Sequence, residues 1–267
     1  LLYFLSSNLL VMPFSSIQFF SPLLLAAVSG APALALPPDQ VSSKLDSIIV
    51  FAPIQAKAAG EIQPLNYKLD GESRSVFFAA FSPSAVQQVI NERITPQNPE
   101  LAKTLKFAPF SLAKFDATVQ GILQRDKNSR VIYVPDPEQV STTEKLLIKQ
   151  GAKRADAVKV AKLVPAVFCP QPAIQATPGS GPLKGQSFVP CSTDYQTVQD
   201  MVDKGIATSR DLKKSKPKVI AIPLTRFAAM LAEGDEKSVG NIRVLPTPST
   251  INALEQLRSK AKQATVD

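Results

Sequence analysis

Few side chains of this chain have types and spacings that could do chemistry. They are two cysteines (Cys169 and Cys191), an acidic pair (Asp136 and Glu138), the stretch Gly179-Ser180-Gly181, and the run Lys213, Lys214, Lys216 and Lys218. Two thiols are too few for a zinc site, and no CxxC pair is present for redox exchange. In an oxidising compartment they could form one disulfide, Cys169–Cys191, since their flanks, AVFCP and SFVPC, suggest adjacent strands. The alternative is two buried thiols filling core space. The chain contains no histidine, which removes the commonest proton-transfer group and every Ser–His or Cys–His nucleophile system. Asp136 and Glu138 fall at an expected helix start, where acids are favoured by the helix dipole. The Gly-Ser-Gly stretch runs into Pro-Leu-Lys without a helix to aim at phosphate, so it reads as a surface loop. The lysine run lacks interleaved aromatics and reads as a solvated helix end and turn. No catalytic residue, no metal ligand, no cofactor and no nucleic-acid partner is therefore expected. The net charge of +8 leaves a mild attraction to acidic partners or anionic lipid, and with it peripheral membrane association.

The elements that would position such groups are written twice. VIYVPDPEQV (131–140) returns as IRVLPTPSTI (242–251), and KFAPFSLAKFDATV (106–119) as KVIAIPLTRFAAML (218–231). Upstream, VFAP (50–53) matches VFCP (167–170), and FFAAFSPSAVQQVI (77–90) loosely matches SFVPCSTDYQTVQDMV (187–202). Four blocks in the same order indicate an internal duplication, about 44–150 and 161–263.

Each block has a structural reading. Ala108, Phe110 and Leu112, matched by Ile220, Ile222 and Leu224, alternate as one face of a strand, and the other face is also apolar, which predicts central strands. Phe115, Val119 and Leu123 then follow helical spacing. Pro135 and Pro246 end strands, Asp136 and Thr247 sit at helix N-caps, and Pro137 and Pro248 occupy first helical positions. The echo thus reads as a strand-stop, helix-start signal in preference to a ligand loop. Val140, Leu146 and Leu147, with Ile251, Leu254 and Leu257, form the expected buried stripes. Ser82-Pro83 and Asn98-Pro99 start two more helices, 151–162 is a connector, and 171–185 is a flexible loop. Each half reads strand, strand, helix, helix, strand, helix, strand, helix. The expected fold is α/β, with two pseudo-symmetric repeats sharing a central mixed sheet flanked by helices.

No charged residue precedes Asp39, and PLLLAAVSGAPALA (22–35) ends on the A-x-A pattern of a secretory signal. Residues 1–35 are expected to be a signal peptide or targeting segment, with a retained anchor as the competitor. Residues 36–267 are expected to form a single domain.

FFAAFSPSAVQQVI, QNPELAKTLKFAPFSLAKF and VIYVPDPEQV, with the signal-like start and ALPPDQVSSKLDSIIVF, resemble the Tic-twenty-two-like family. That family is named for a subunit of the translocon at the chloroplast inner envelope and has cyanobacterial relatives. The resemblance implies a non-enzymatic, chaperone-like protein of the periplasm or the plastid envelope intermembrane space. It would bind unfolded precursor proteins during import or outer-membrane biogenesis, beside translocon or outer-membrane barrel assembly components. An adaptor subunit without clients and a periplasmic small-molecule binder are the competing classes. It also implies apolar pockets related by a pseudo-twofold. The expected client-binding lining is Phe51, Phe107 and Tyr133, with Phe168, Val219 and Val244 as counterparts.

Overall fold

The computed structural model describes residues 36–55, 62, 64–69, 71–126, 128–178, 180 and 184–264, so residues 1–35, expected to be a signal peptide or targeting segment, lie outside the described residues. Where the duplication predicted one shared sheet, hydrogen bonding divides the strands into two. The first contains β1 (Ile49–Gln55), β2 (Leu65–Leu69), β3 (Glu72–Ala80), β4 (Leu105–Ser111) and β5 (Ser129–Val134). The second contains β6 (Ala166–Gln171), β7 (Val189–Ser192), β8 (Lys218–Pro223) and β9 (Ile242–Leu245). Hairpin strand β2, which turns into β3 at Gly71 (φ 82°), is an element the sequence reading did not separate.

The two sheets use the same connections. β1 is antiparallel to β3 and β4, and β3 is parallel to β5. β6 is antiparallel to β7 and β8, and β7 is parallel to β9. Register agrees too: Phe51 faces Ala80 and Pro109, while Phe168 faces Ser192 and Ala221. Pro53 and Pro170 each lie two residues past the last pair with β3 or β7, since a proline offers no N–H to continue that ladder.

β4 and β8 are edge strands, not the central strands expected, and every side chain of β4 keeps some exposure. Their apolar second faces are explained by partial cover rather than by a neighbouring strand. Such edges invite unwanted pairing, and three are blocked. Pro109 removes a donor from β4. At the matching position of β8, the Gln150 carboxamide donates to Ala221 O (3.0 Å) and accepts from Ala221 N (2.9 Å), imitating a strand. On β2, Lys68 N donates to Gln97 Oε1 (3.0 Å).

The helices fill three apolar layers. A common core between the sheets joins Val50, Ala52, Phe77 and Ala79 to Val167, Cys169, Cys191 and Val244. It also holds Phe115 and Val119 of α4 (Leu112–Leu123) and Phe227 and Leu231 of α9 (Leu224–Glu233). α1 (Pro38–Asp46) packs on both α4 and α9. Its approach is fixed by Leu36 N donating to Gly234 O (3.0 Å) and by Lys44 Nζ donating to the Gly240 and Ile242 carbonyls. Burial, with Arg243 nearby, holds the Lys44 pKa below the ordinary lysine value.

The outer face of the first sheet is covered by α2 (Pro83–Val89), a π-helical turn (Ile90–Ile94) and α3 (Pro99–Thr104). That of the second is covered by α7 (Tyr195–Thr208), α8 (Arg210–Ser215), α5 (Pro137–Lys149) and α6 (Arg154–Leu163). Here the halves exchange helices. α5, which follows the first sheet, buries Leu147 against the second. α11 (Pro248–Ala264), which follows the second, packs Ala253 against the layer over the first and touches α2. α10 (Glu236–Val239) is a short capped turn before β9. The connector 151–162 is mostly helical, as α6. The loop after β6 is pinned at its base, where Ala176 and Phe188 exchange two backbone hydrogen bonds (2.8 and 3.0 Å) over buried Ile174.

Candidate functional site

The paired-proline motif lies where the chain leaves the first sheet to cover the second. Asp136 caps α5 by accepting from Glu138 N (3.1 Å), and Pro137 takes the first helical position. Gln139 ties this turn to the start of α7, donating to Asp194 Oδ1 (2.9 Å) and accepting from Tyr195 N (3.3 Å). Asp136 thus serves as a helix cap, with Glu138 contributing its backbone N–H to it. On the other side of the same turn a cleft of about 200 Å³ opens. Val89, Val134, Pro135, Pro137 and Val140 line its apolar part, with Gln88, Glu92, Arg93 and Lys162 around them. Val89 and Val134 are buried beneath it.

Local sequence explains the walls. α2 begins at Ser82, which accepts from Ala85 N (3.2 Å), and its last turn widens into the π-helical turn Ile90–Ile94. Such turns cluster at functional sites. Residues four apart then share a face, so Gln88 and Val89 stand beside Glu92 and Arg93. Gln88 Nε2 donates to Glu92 Oε1 (2.9 Å). Lys162 reaches the cleft because the α5–α6 hairpin folds back at Gly151 (φ 96°). The echo of the motif in the second half, Pro246 to Ile251, has no helix after α11 to play the part of α6 among the described residues. Ile251, the counterpart of Val140, is 43% exposed instead of lying in a buried stripe. Thr247 does cap α11, accepting from Thr250 N (3.1 Å).

The six expected lining residues do not converge on a hollow. Phe51 is fully buried on the outer face of the first sheet, edge-to-face with half-buried Phe107 at 6.0 Å. Phe168 is fully buried on the outer face of the second, edge-to-face with Tyr195 at 5.9 Å, and Val219 shares its layer. Tyr133 and Val244 belong instead to the common core between the sheets. Tyr133 stacks edge-to-face on Phe115 at 6.0 Å, and its hydroxyl donates to Asp116 Oδ1 (3.3 Å). Burial, followed by the Asp116 carboxylate, pushes its pKa well up. All six serve the protein's own packing. Alternation showed that they are apolar, but not which side of a sheet each takes. The cleft was missed because Arg93 and Lys162 look like ordinary solvated charges in sequence, and only the tertiary fold brings them to the proline turn.

Cys169 and Cys191 form a disulfide between β6 and β7, with Cα atoms 4.4 Å apart. By register, Ala52 and Ala79 stand in the same places in the first sheet. Of the lysine run, Lys213 and Lys214 lie in the last turn of α8, exposed Lys216 ends it in a left-handed conformation (φ 48°), and Lys218 opens β8. Gly179 and Gly181 lie outside the described residues. Among the described residues no cluster suits a metal ion, and no helix is long and apolar enough to cross a membrane.

The structure defines a mixed α/β protein with two helix-covered sheets and a polar-rimmed apolar cleft at the turn from β5 into α5, and solved structures share the fold. The chain is similar to Tic22 from the cyanobacterium Anabaena, a protein described under protein transport, with a TM-score of 0.62 and 18% identity. That match covers 84% of this chain and 97% of the other. It is also similar to Tic22 from Plasmodium falciparum, with a TM-score of 0.60 and 14% identity over 82% of this chain and 98% of the other. The chain therefore has a Tic22-like fold. No family model and no curated sequence matches it.

Proposed function

We propose that this protein is a non-catalytic component of protein transport that binds unfolded precursor polypeptides, using the cleft beside α5 as a contact point. The observation that carries the reading is the fold shared with Tic22 over more than four-fifths of the chain, one of the two similar structures being described under protein transport. The cleft supports it physically. Its apolar floor is non-directional and tolerant of sequence, as promiscuous binding requires. Its size suits one side chain at a time. The blocked edges of β2, β4 and β8 turn recognition away from strand addition and toward side chains. Partners in this reading are translocon or outer-membrane barrel assembly components, in a cyanobacterial periplasm or a plastid envelope intermembrane space. The disulfide favours such an oxidising compartment.

The reading includes the duplication. Matching strand order, matching register and the reciprocal exchange of α5 and α11 all support two copies of one ancestral unit.

The test is light scattering from a chemically unfolded reporter protein diluted into buffer with and without the signal-free chain. The wild type is expected to slow aggregation at near-stoichiometric ratios, and V140E to lose that effect while keeping the wild-type circular dichroism spectrum. A wild type without effect on aggregation would favour the adaptor class.

A further inference from the structure

The cleft has a chemistry more specific than an apolar hollow. Half-buried Arg93 and exposed Lys162 stand on its rim. The ion pairs among the described residues are Arg74–Glu72, Lys103–Glu100 and Arg226–Glu233, so neither rim cation is matched by a carboxylate. Glu92 is the one acid in the lining, and its carboxylate already accepts from Gln88. The rim thus carries one net positive charge beside a floor of Val89, Val134 and Val140. At about 200 Å³ the space falls below the roughly 300–1,000 Å³ of small-molecule pockets.

We infer that the cleft takes an extended peptide segment in which a carboxylate lies next to one large apolar side chain. The side chain rests on the valine floor and the carboxylate meets Arg93 and Lys162. Guanidinium–carboxylate pairing adds direction to a contact that is otherwise only apolar. Exposure of Lys162 makes part of the attraction sensitive to salt. This inference rests on the client-binding reading and names the chemistry of the client.

Three labelled octapeptides of Gly and Ser test it by fluorescence anisotropy. One ends in Leu-Phe with a free carboxylate, one is its C-terminal amide, and one is the amide with Glu placed beside Phe. The two carboxylate peptides are expected to bind at least fivefold more tightly than the plain amide, with the gap closing at high salt. R93Q and K162Q should each weaken the carboxylate peptides several-fold more than they weaken the plain amide, whereas E92Q should tighten the carboxylate peptides. Preference between the two carboxylate peptides tells a chain terminus from an acidic side chain. Equal binding of all three peptides, or E92Q acting in the same direction as R93Q, overturns the inference. Suppressed aggregation together with equal peptide binding removes this inference alone. Selective peptide binding without suppressed aggregation removes the client-handling reading alone.

Discussion

Breaking the Cys169–Cys191 bridge is the sharpest perturbation the structure offers. The bond spans 22 residues, including the long loop between β6 and β7. Releasing a loop of that length into the unfolded ensemble costs the folded state about 3 kcal/mol in the chain-entropy account. With a urea slope of about 3 kcal/mol per M for a chain of this size, the unfolding midpoint should fall by about 1 M. Cys191 is fully buried and Cys169 nearly so, so reduction must be done on unfolded protein before refolding. Urea titrations of the oxidised and reduced wild type, followed by circular dichroism, measure the shift. Coincident midpoints would refute the argument. The converse experiment probes the likeness of the sheets. Ala52 and Ala79 occupy the register positions of the cysteines, so A52C/A79C should close a second bridge and stabilise by up to about 3 kcal/mol. Two free thiols at those positions, counted by alkylation and mass spectrometry, would show that the sheets differ where register says they match.

Q150A removes both hydrogen bonds that close the edge of β8, and should cost about 1–3 kcal/mol in thermal or urea melts. It should also raise self-association in light-scattering chromatography, because Ala221 then presents a free strand edge. Tyr133 gives a pH signature. Its folded pKa lies above the unfolded value near 10, so the folded state holds a proton that the unfolded chain has released. The stability tied to that proton is complete below about pH 10 and is lost as pH rises through the folded pKa. Absorbance at 295 nm should show a tyrosine that ionises later than the rest or only on unfolding, and Y133F should abolish that lagging component.

Local signals in the sequence determined the start and type of most elements. Proline at a strand end, a capping side chain and proline again are short-range chemistry, so Asp136, Thr247, Ser82 and Asn98 could be read as N-caps without knowledge of the rest. The order of the strands and main helices in the second half followed from the same local phrases. The hairpin strand β2 and helix α1 escaped because no periodicity or doubled motif marks them. What only the tertiary structure decided is which face meets what. Alternation fixes that a residue is apolar, but a sheet has two faces and both are covered here. Phe51 and Tyr133 therefore went to opposite layers, although the sequence reading placed them together. The exchange of α5 and α11 is likewise invisible locally, since a helix's apolar stripe does not name the sheet it covers. The cleft depends on that exchange. Arg93 and Lys162 acquire a shared rim only because α5 crosses to the second sheet and carries α6 back to the proline turn, a consequence of long-range packing.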